Sequence, residues 1–180
     1  MVLKYEDCLR LYKTYYRIQQ ALAKGDLRKV QRGLYSDSKS ESDLEVISRL
    51  YPYAVFTLNS AFYYHGLTDT IPQDYYLITD KNATKIKDDR VHQYFDNNNS
   101  LELGLEIKDY NGVPIKIFNR ERMLIELIRN KNKFSFDYYK EIISSYRKIL
   151  YELDTEAIQD YVIQLPKTRL VMETIQLEVF

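Results

Sequence analysis

The sequence contains few of the residues on which many catalytic and structural sites depend. Of its 180 residues, one is cysteine, two are histidine and none is tryptophan. The single cysteine, Cys8, excludes an intramolecular disulfide and any site built from several thiolates. The two histidines, His65 and His92, are 27 positions apart, so they lack the H-E-x-x-H spacing of a helical zinc site. We therefore expect no metal site, and the cysteine content favours a reducing, cytoplasmic environment.

Glycine and long apolar runs are also scarce. The five glycines are scattered, and none falls in a phosphate-binding loop, a dinucleotide-binding fingerprint or a nucleophile elbow. We expect no cofactor, no catalytic residues and no enzymatic activity. No run of about 18 apolar residues could span a membrane, and the charges close to the N-terminus, among them Lys4, Asp7 and Arg10, are unlike a signal peptide. These features predict a cytoplasmic protein without a membrane partner.

The overall charge balance conceals an asymmetry along the chain. The sequence has 26 basic and 26 acidic residues, so its formal net charge is zero. Residues 1–35 contain eight basic and three acidic residues, a net of +5, whereas the other 145 carry 18 and 23, a net of −5. A polar tract, Ser36–Asp43, follows the basic segment and is typical of a linker. We predict an N-terminal module at 1–36, a linker at 37–43 and a C-terminal domain at 44–180.

The first module has the order helix, turn, helix, wing. Apolar residues recur at helical spacing from Tyr5 to Tyr12, and a second stripe, Tyr15, Ile18, Ala21 and Leu22, follows Thr14. Thr14 is a suitable N-cap for the second helix and Gly25 a suitable C-terminal stop. A strand at Leu27–Arg32 and the segment Gly33–Ser36 complete the pattern. Only four residues precede the first helix, so we describe this as a reduced winged helix-turn-helix module.

This module is the candidate DNA-binding surface. With the apolar stripe turned inward, the second helix exposes residue types that contact base edges and phosphates, and the basic wing would lie over an adjacent DNA backbone. A helical hairpin with solvated charges is the alternative explanation. The predicted DNA-binding residues are Tyr16, Arg17, Gln19, Gln20, Lys24, Arg28, Lys29 and Arg32.

The second module is predicted to be a mixed α/β domain, which makes the whole chain α+β. Ser42 and Glu45 form a capping box that begins a helix, Ala54–Tyr64 is a buried helix with a short extended entry, and Tyr75–Thr79 is a strand. Helical stripes after Asn119 continue to the end of the chain, interrupted at Pro166.

A β-hairpin lies in the middle of this domain. Apolar residues alternate with polar ones from Leu101 to Lys108 and again after Asn111-Gly112. A two-residue loop would mix the apolar and polar faces of the two strands. A three-residue loop, Tyr110–Gly112, instead pairs Ile107 with Ile115, so we predict the three-residue hairpin with Gly112 in the left-handed position.

The same hairpin carries the best catalytic alternative. Glu106 and Lys108 share a strand face, as in nuclease metal sites, and Asp89 or Asp96 could complete a magnesium site. The predicted register also explains Glu106 as the exposed cross-strand partner of Lys116. A nuclease is therefore our third alternative.

A set of motifs resembles a known family over most of the chain. The motifs follow one another in order between about Tyr5 and Lys148: they are Lys24–Ser36, Tyr51–Asp69 with Ile71-Pro72, and Gly112–Pro114 leading to Arg122–Leu124 and Arg129–Lys131. On these residues the chain resembles the AbiEi antitoxins of type IV toxin-antitoxin systems, which are also called abortive-infection systems. On the family's wing pattern, Arg32, Gly33 and Tyr35 match directly; Gly33 would permit the turn and Tyr35 would anchor the wing in the core.

The resemblance implies a non-enzymatic antitoxin that takes part in phage defence. Its winged helix-turn-helix would repress its own operon by binding double-stranded promoter DNA. We expect this DNA to contain inverted repeats and the protein to bind it as a homodimer. Its C-terminal domain would counteract a nucleotidyltransferase toxin, and direct contact with the toxin is left open. The alternative is a protein-binding antitoxin or regulatory module without DNA binding.

Overall fold

The chain folds into two compact units, each containing helices and strands. The structure, a computed structural model, describes residues 1–31, 33–38 and 41–179. The units are Met1–Pro52 and Tyr53–Phe180. The α+β class expected from the sequence is confirmed, as are the C-terminal helices.

The first unit is a three-stranded antiparallel sheet with helices on both faces. Its elements are β1 (Val2–Lys4), α1 (Tyr5–Tyr12), α2 (Tyr15–Lys24), β2 (Arg28–Gln31), β3 (Leu34–Ser36) and α3 (Asp43–Leu50). The strand order is β1-β3-β2. Because side chains alternate along a strand, Leu3 and Tyr35 pack toward α1 and α2, together with Cys8, Ile18, Ala21 and Leu27. Val2 and Leu34 pack on the other face against Val46 of α3.

The boundary between the units lies later than the sequence analysis places it. The expected second domain began at residue 44, but α3 belongs to the first unit. Val46 closes the core under the sheet, and the backbone N–H of Val2 donates to Glu45 Oε1 at 2.6 Å. An apolar sheet face must be buried against another element, and α3 covers the face that carries Val2 and Leu34. The polar tract therefore joins β3 to α3 within one unit.

The second unit is a five-stranded mixed sheet with five helices in its described part. Its strands are β4 (Val55–Phe56), β5 (Tyr75–Asp80), β6 (Val91–Asp96), β7 (Leu105–Tyr110) and β8 (Val113–Phe118), in the order β6-β5-β4-β8-β7. The pairs β4–β8 and β5–β6 are parallel, and the pairs β4–β5 and β7–β8 are antiparallel. Its helices are α4 (Leu58–Tyr64), α5 (Arg120–Arg129), α6 (Phe136–Lys148), α7 (Thr155–Gln164) and α8 (Thr168–Glu178).

The predicted three-residue hairpin is wrong. Strands β7 and β8 are joined by the two residues Asn111-Gly112, and Ile107 pairs with Lys116 rather than with Ile115. Both loop residues have positive φ, +53° and +81°, as a type I′ turn requires. The register prediction assumed that Ile107 is buried. It is 64% exposed, because β7 is an edge strand and its apolar alternation does not mark a core face.

Helix α5 is the centre of the second unit, with every residue from Glu121 to Ile128 buried. Its only cation in that span, Arg122, is fully buried, and its guanidinium bonds to Glu126 Oε1 and to Ser100 Oγ at 2.9 and 3.1 Å. The guanidinium also lies 4.7 Å from the ring centre of Phe118. These partners are what makes a buried charge tolerable. Within the described ranges, none of the helices has the length and apolar content needed to cross a lipid bilayer.

Candidate nucleic-acid interface

Helix α2 is fixed at both ends by the residues expected to cap it. Thr14 Oγ1 accepts a hydrogen bond from Arg17 N at 3.3 Å, and Gly25 ends the helix with φ +80°. A two-residue turn, Lys13-Thr14, joins it to α1, and Ile18 and Ala21 anchor it in the core. The predicted two helices, their turn and their caps are confirmed. The helix is therefore held rigidly, with its other side in solvent.

All five DNA-binding candidates on α2 are exposed. Tyr16 and Gln20, four residues apart, lie at the middle of the outer face, opposite Ile18 and Ala21, and Tyr16 is 69% exposed. The other three flank them: Arg17, Gln19 and Lys24. An α-helix with its side chains is about 10–12 Å across, which fits a major groove about 12 Å wide. The structure thus brings these five residues together on one surface.

The candidates of the wing are separated by the alternation of strand β2. Lys29 pairs with Tyr35, so it projects on the side of the sheet that carries α1 and α2. Arg28 pairs with Ser36 and projects on the α3 side. There it forms an ion pair with Glu41, and its Nε donates to Ser38 O at 2.9 Å. Lys29 can act together with α2, whereas Arg28 holds the linker segment. Arg32 lies outside the described residues.

The wing matches the roles given to Gly33 and Tyr35. Gly33 has φ +80°, a conformation that favours glycine. Tyr35 packs against the core cluster that contains Leu3 and Ile18, and its ring centre lies 6.4 Å from that of Tyr5. Gly33 therefore has the backbone conformation, and Tyr35 the core contacts, that the resemblance implies for these two positions.

Acidic residues of the first unit are concentrated away from α2. The unit has ten basic and seven acidic residues, a net of +3, and four of the seven fall between positions 37 and 45. Asp37 pairs with the N-terminal amine at 2.8 Å, and this contact lowers the pKa of its carboxyl. Arg28 pairs with Glu41, and Glu45 accepts from Val2 N. These four carboxylates lie in the segment from β3 to α3, whereas α2 itself contains no acidic residue and the exposed Asp26 follows it by two positions.

Two residues near the start of α2 were not predicted as part of the surface. The sequence analysis placed Tyr15 in the inner stripe, but Tyr15 is 61% exposed. It occupies the first position of α2, before the helix reaches the core, so helical spacing alone assigned it to the wrong side. Lys13, in the turn, is also exposed. Its position one residue before the N-cap was the available signal, because basic residues near a helix N-terminus can reach phosphates.

The nuclease alternative is not assembled by the fold. Glu106 and Lys108 lie on β7, whereas Asp96 ends β6 and Asp89 lies two residues before it, and these strands are the two opposite edges of the sheet. Four strand spacings separate them, about 19 Å. Glu106 faces Ile117 across the hairpin and not Lys116. Both carboxylate oxygens of Asp96 accept hydrogen bonds from Ser100.

Comparisons with known proteins add a likeness of fold. No family model matches the sequence, and no curated protein matches it. Among solved structures, the crystal structure of the RV2827C protein from Mycobacterium tuberculosis is similar, with a TM-score of 0.61 and 14% sequence identity. The match covers 98% of this chain and 71% of that chain. The chain therefore shares its fold, across both units, with that mycobacterial protein.

Proposed function

We propose that the protein is an antitoxin of the AbiEi type that represses its own operon. In this proposal the first unit is a reduced winged helix-turn-helix that binds promoter DNA, and the second unit counteracts a nucleotidyltransferase toxin. The observation that carries the DNA-binding part is the outer face of α2. It presents Tyr16, Arg17 and Gln20 to solvent on a helix whose opposite side is locked in the core.

Charge placement supports the same surface. Arg17, Lys24 and Lys29 are exposed cations on or beside α2, and the carboxylates at positions 37, 41 and 45 have partners elsewhere in the unit. Lysine and arginine next to a recognition helix bind phosphates and set the register of the helix in the groove. Tyrosine and glutamine at its centre offer hydrogen bonds and apolar contact to base edges.

The toxin-directed part of the proposal is supported by the sequence resemblance. The motifs Tyr51–Asp69 and Gly112–Pro114 that carry it fall mainly in the second unit. Tyr51–Asp69 spans β4 and α4 and Gly112–Pro114 opens β8, so these motifs form elements of the central sheet and its first helix. We assign the antagonism of the toxin to this unit.

The DNA-binding part is tested by gel shift with duplex DNA from upstream of the protein's own coding sequence. The full chain should shift this DNA saturably and prefer it to a scrambled duplex. The double variant Y16A/Q20A should lose that preference. The matched control is the double variant Y151A/Q159A, which changes an exposed tyrosine and an exposed glutamine of the second unit and should leave binding unchanged. Equal binding of both duplexes by the unaltered protein would contradict operator recognition.

The two activities are separated by testing the same variants in cells. If a nucleotidyltransferase is encoded beside the gene, cells should tolerate its expression when the unaltered protein is present. We expect Y16A/Q20A to retain this protection while it releases repression of a promoter reporter. If the unaltered protein protects cells but binds no DNA, the non-DNA-binding antitoxin or regulatory module is the correct alternative.

A further inference from the structure

Three aromatic rings form a row on one face of the second sheet. Tyr76 on β5 pairs with His92 on the edge strand β6, and Tyr94 follows His92 by two residues, so all three side chains project on the same face. The ring centres of Tyr76 and His92 are 5.1 Å apart with an angle of 18° between their planes. Those of His92 and Tyr94 are 4.9 Å apart. His92 is exposed, so the row is open to solvent.

The row ends at a polar cleft. A cavity of about 190 Å³ lies between this face of β5 and β6 and the C-terminal end of α5. Tyr94 and Ile78 line it from the sheet, and Arg129 and Lys133 line it from the end of α5 and the segment that follows. Tyr94 thus belongs both to the aromatic row and to the cleft.

The two carboxylates of the cleft, Glu126 and Asp96, are hydrogen bonded within the protein. Glu126 receives the guanidinium of Arg122 and that of Arg129 on one oxygen and the amide of Asn130 on the other. Asp96 receives the backbone N–H and the hydroxyl of Ser100. Glu126 is ion-paired with two arginines, whereas Asp96 keeps its charge. The lining therefore carries three cations, Arg122, Arg129 and Lys133, against two carboxylates, a net charge that favours an anion.

Two cations of the cleft, Arg129 and Lys133, each have a nitrogen atom that is not paired with a carboxylate of the described residues. The Nε of Arg129 is buried and has no hydrogen-bond partner in the described part of the chain. Lys133 is exposed, and its ammonium lies 4.8 Å from the ring centre of Tyr94. Among the described residues it has no carboxylate partner, and a cation–π contact at an exposed site is weak. Lys133 can therefore leave the ring and neutralise an incoming anion.

We propose that this cleft binds a nucleotide, with its base stacked on Tyr94 and its phosphate held by Lys133 and Arg129. A nucleotide combines the two properties that the cleft offers, an aromatic surface and cations beside it. Base stacking on aromatic side chains combined with basic contacts to phosphate is a general mode of nucleotide recognition. The ligand is a free mononucleotide or a nucleotide unit of a single strand. The proposal does not depend on DNA binding by the first unit.

Calorimetric titration of the full chain tests the proposal. The probes are the four common nucleoside monophosphates and triphosphates, a single-stranded tetranucleotide RNA, and tripolyphosphate as an anion without a base. We expect saturable binding of a nucleotide or of the tetranucleotide, and weaker binding of tripolyphosphate. Binding of mononucleotides identifies a free nucleotide as the ligand. Binding of the tetranucleotide alone identifies a unit within a strand.

Substitutions locate the binding. Y94L and K133Q should each weaken it about tenfold, the size expected for one stacking or charge contact. H92A removes the exposed ring that lies next to Tyr94. It should also weaken nucleotide binding, and it serves as the aromatic test if Y94L folds poorly. The matched controls K116Q and Y151L change an exposed lysine and a fully exposed tyrosine of the same unit and should bind as the unaltered protein does. No saturable binding at millimolar nucleotide, or equal losses in K133Q and K116Q, would overturn the proposal. Tripolyphosphate binding as tight as that of the nucleotides would overturn it as well.

Discussion

Arg28 and Lys29 are adjacent in strand β2 but point to opposite faces of the first sheet. Arg28 is paired with Glu41 on the α3 side, and Lys29 is exposed on the side of α2. One of two neighbouring basic residues is therefore used inside the protein, while the other is free to meet a phosphate.

K29A should weaken binding of promoter DNA and reduce the dependence of affinity on salt. Loss of one phosphate contact lowers the slope of log affinity against log salt by about 0.9. R28A should leave that slope unchanged and lower the free energy of unfolding by about 1 kcal/mol or more, because it leaves Glu41, whose side chain is only 7% exposed, without its ion-pair partner. Fluorescence anisotropy over a salt series measures the slopes. If the slope falls in R28A and not in K29A, the face of β2 that carries Arg28 is the one that contacts DNA.

Cys8 reports on the opening of the first unit. Its side chain is fully buried, so a reagent cannot reach the sulfur in the folded unit. Burial also raises the pKa of the thiol, so less of the reactive thiolate is present. We expect labelling by a thiol reagent to be slower in the native protein than in denaturant by about a thousandfold or more, which corresponds to about 4 kcal/mol. Labelling at the rate of a free thiol would show that α1 and α2 do not form a stable core.

A second thiol position turns the same measurement into a footprint of DNA binding. Ala23 is exposed on α2, between the candidate contacts Gln20 and Lys24. In the variant C8A/A23C the new thiol should label rapidly in the free protein and slowly when promoter DNA is bound. A scrambled duplex at the same concentration is the control. Protection by both duplexes would indicate binding without sequence preference.

Much of the first unit could be predicted from the sequence because its signals are local. Thr14 and Gly25 mark the ends of α2, and the helical spacing of Ile18 and Ala21 identifies its inner side. The position of α3 could not be predicted, because its assignment depends on contacts of Val46 with residues far away in the chain. The Arg28–Glu41 pair could not be predicted either. Alternation puts Arg28 and Lys29 on opposite faces of β2, but the sequence does not show which of the two faces carries α3.

The second unit was harder to predict where strands lie at sheet edges. Strand β6 was not recognised, because His92 and Gln93 interrupt its apolar pattern and its parallel pairing with β5 leaves no hairpin signal. The register of the hairpin was wrong because Ile107 is exposed on the other edge strand. The Asn111-Gly112 pair alone, which favours a type I′ turn, gives the observed loop. The cleft proposed to bind a nucleotide could not be predicted, because Tyr94 of β6 and Arg129 of α5 are far apart in the sequence and belong to no common motif.

Two glycines with the same backbone strain allow a test of the packing around Arg122. Gly104 and Gly112 both have positive φ, +73° and +81°. A Cβ on Gly104 would lie 2.6 Å from the Cβ of Arg122, whereas one on Gly112 would meet nothing within 4 Å. G112A should therefore cost about 1 kcal/mol for backbone strain, and G104A should cost that amount and about 2 kcal/mol more for the displaced helix. Urea unfolding of the two variants measures the difference. Equal losses would show that α5 accommodates the added methyl group.

His65 should make the stability of the second unit depend on pH. Its Nε2 lies 2.7 Å from the carbonyl oxygen of Phe118, and because a carbonyl only accepts, Nε2 must be the donor. Burial is the main cause that lowers the pKa of His65 from 6.5 to about 4. The unfolded chain therefore binds a proton at a higher pH than the folded chain does, so acid favours unfolding. The contribution of His65 is complete above pH 6.5 and is lost progressively as the pH falls to about 4, by about 3 kcal/mol in total.

The variant H65Q isolates this contribution from that of the carboxylates. Glutamine can still donate to the Phe118 carbonyl through its amide, but it does not titrate. Urea unfolding at a series of pH values between 4 and 7.5 should give a steeper loss of stability for the unaltered protein than for H65Q. The two curves should run parallel above pH 7, where the histidine is neutral in both the folded and the unfolded chain. Parallel curves over the whole range would mean that the folded protein accepts a proton on His65 as readily as the unfolded chain, and that the ring is not held neutral against Phe118.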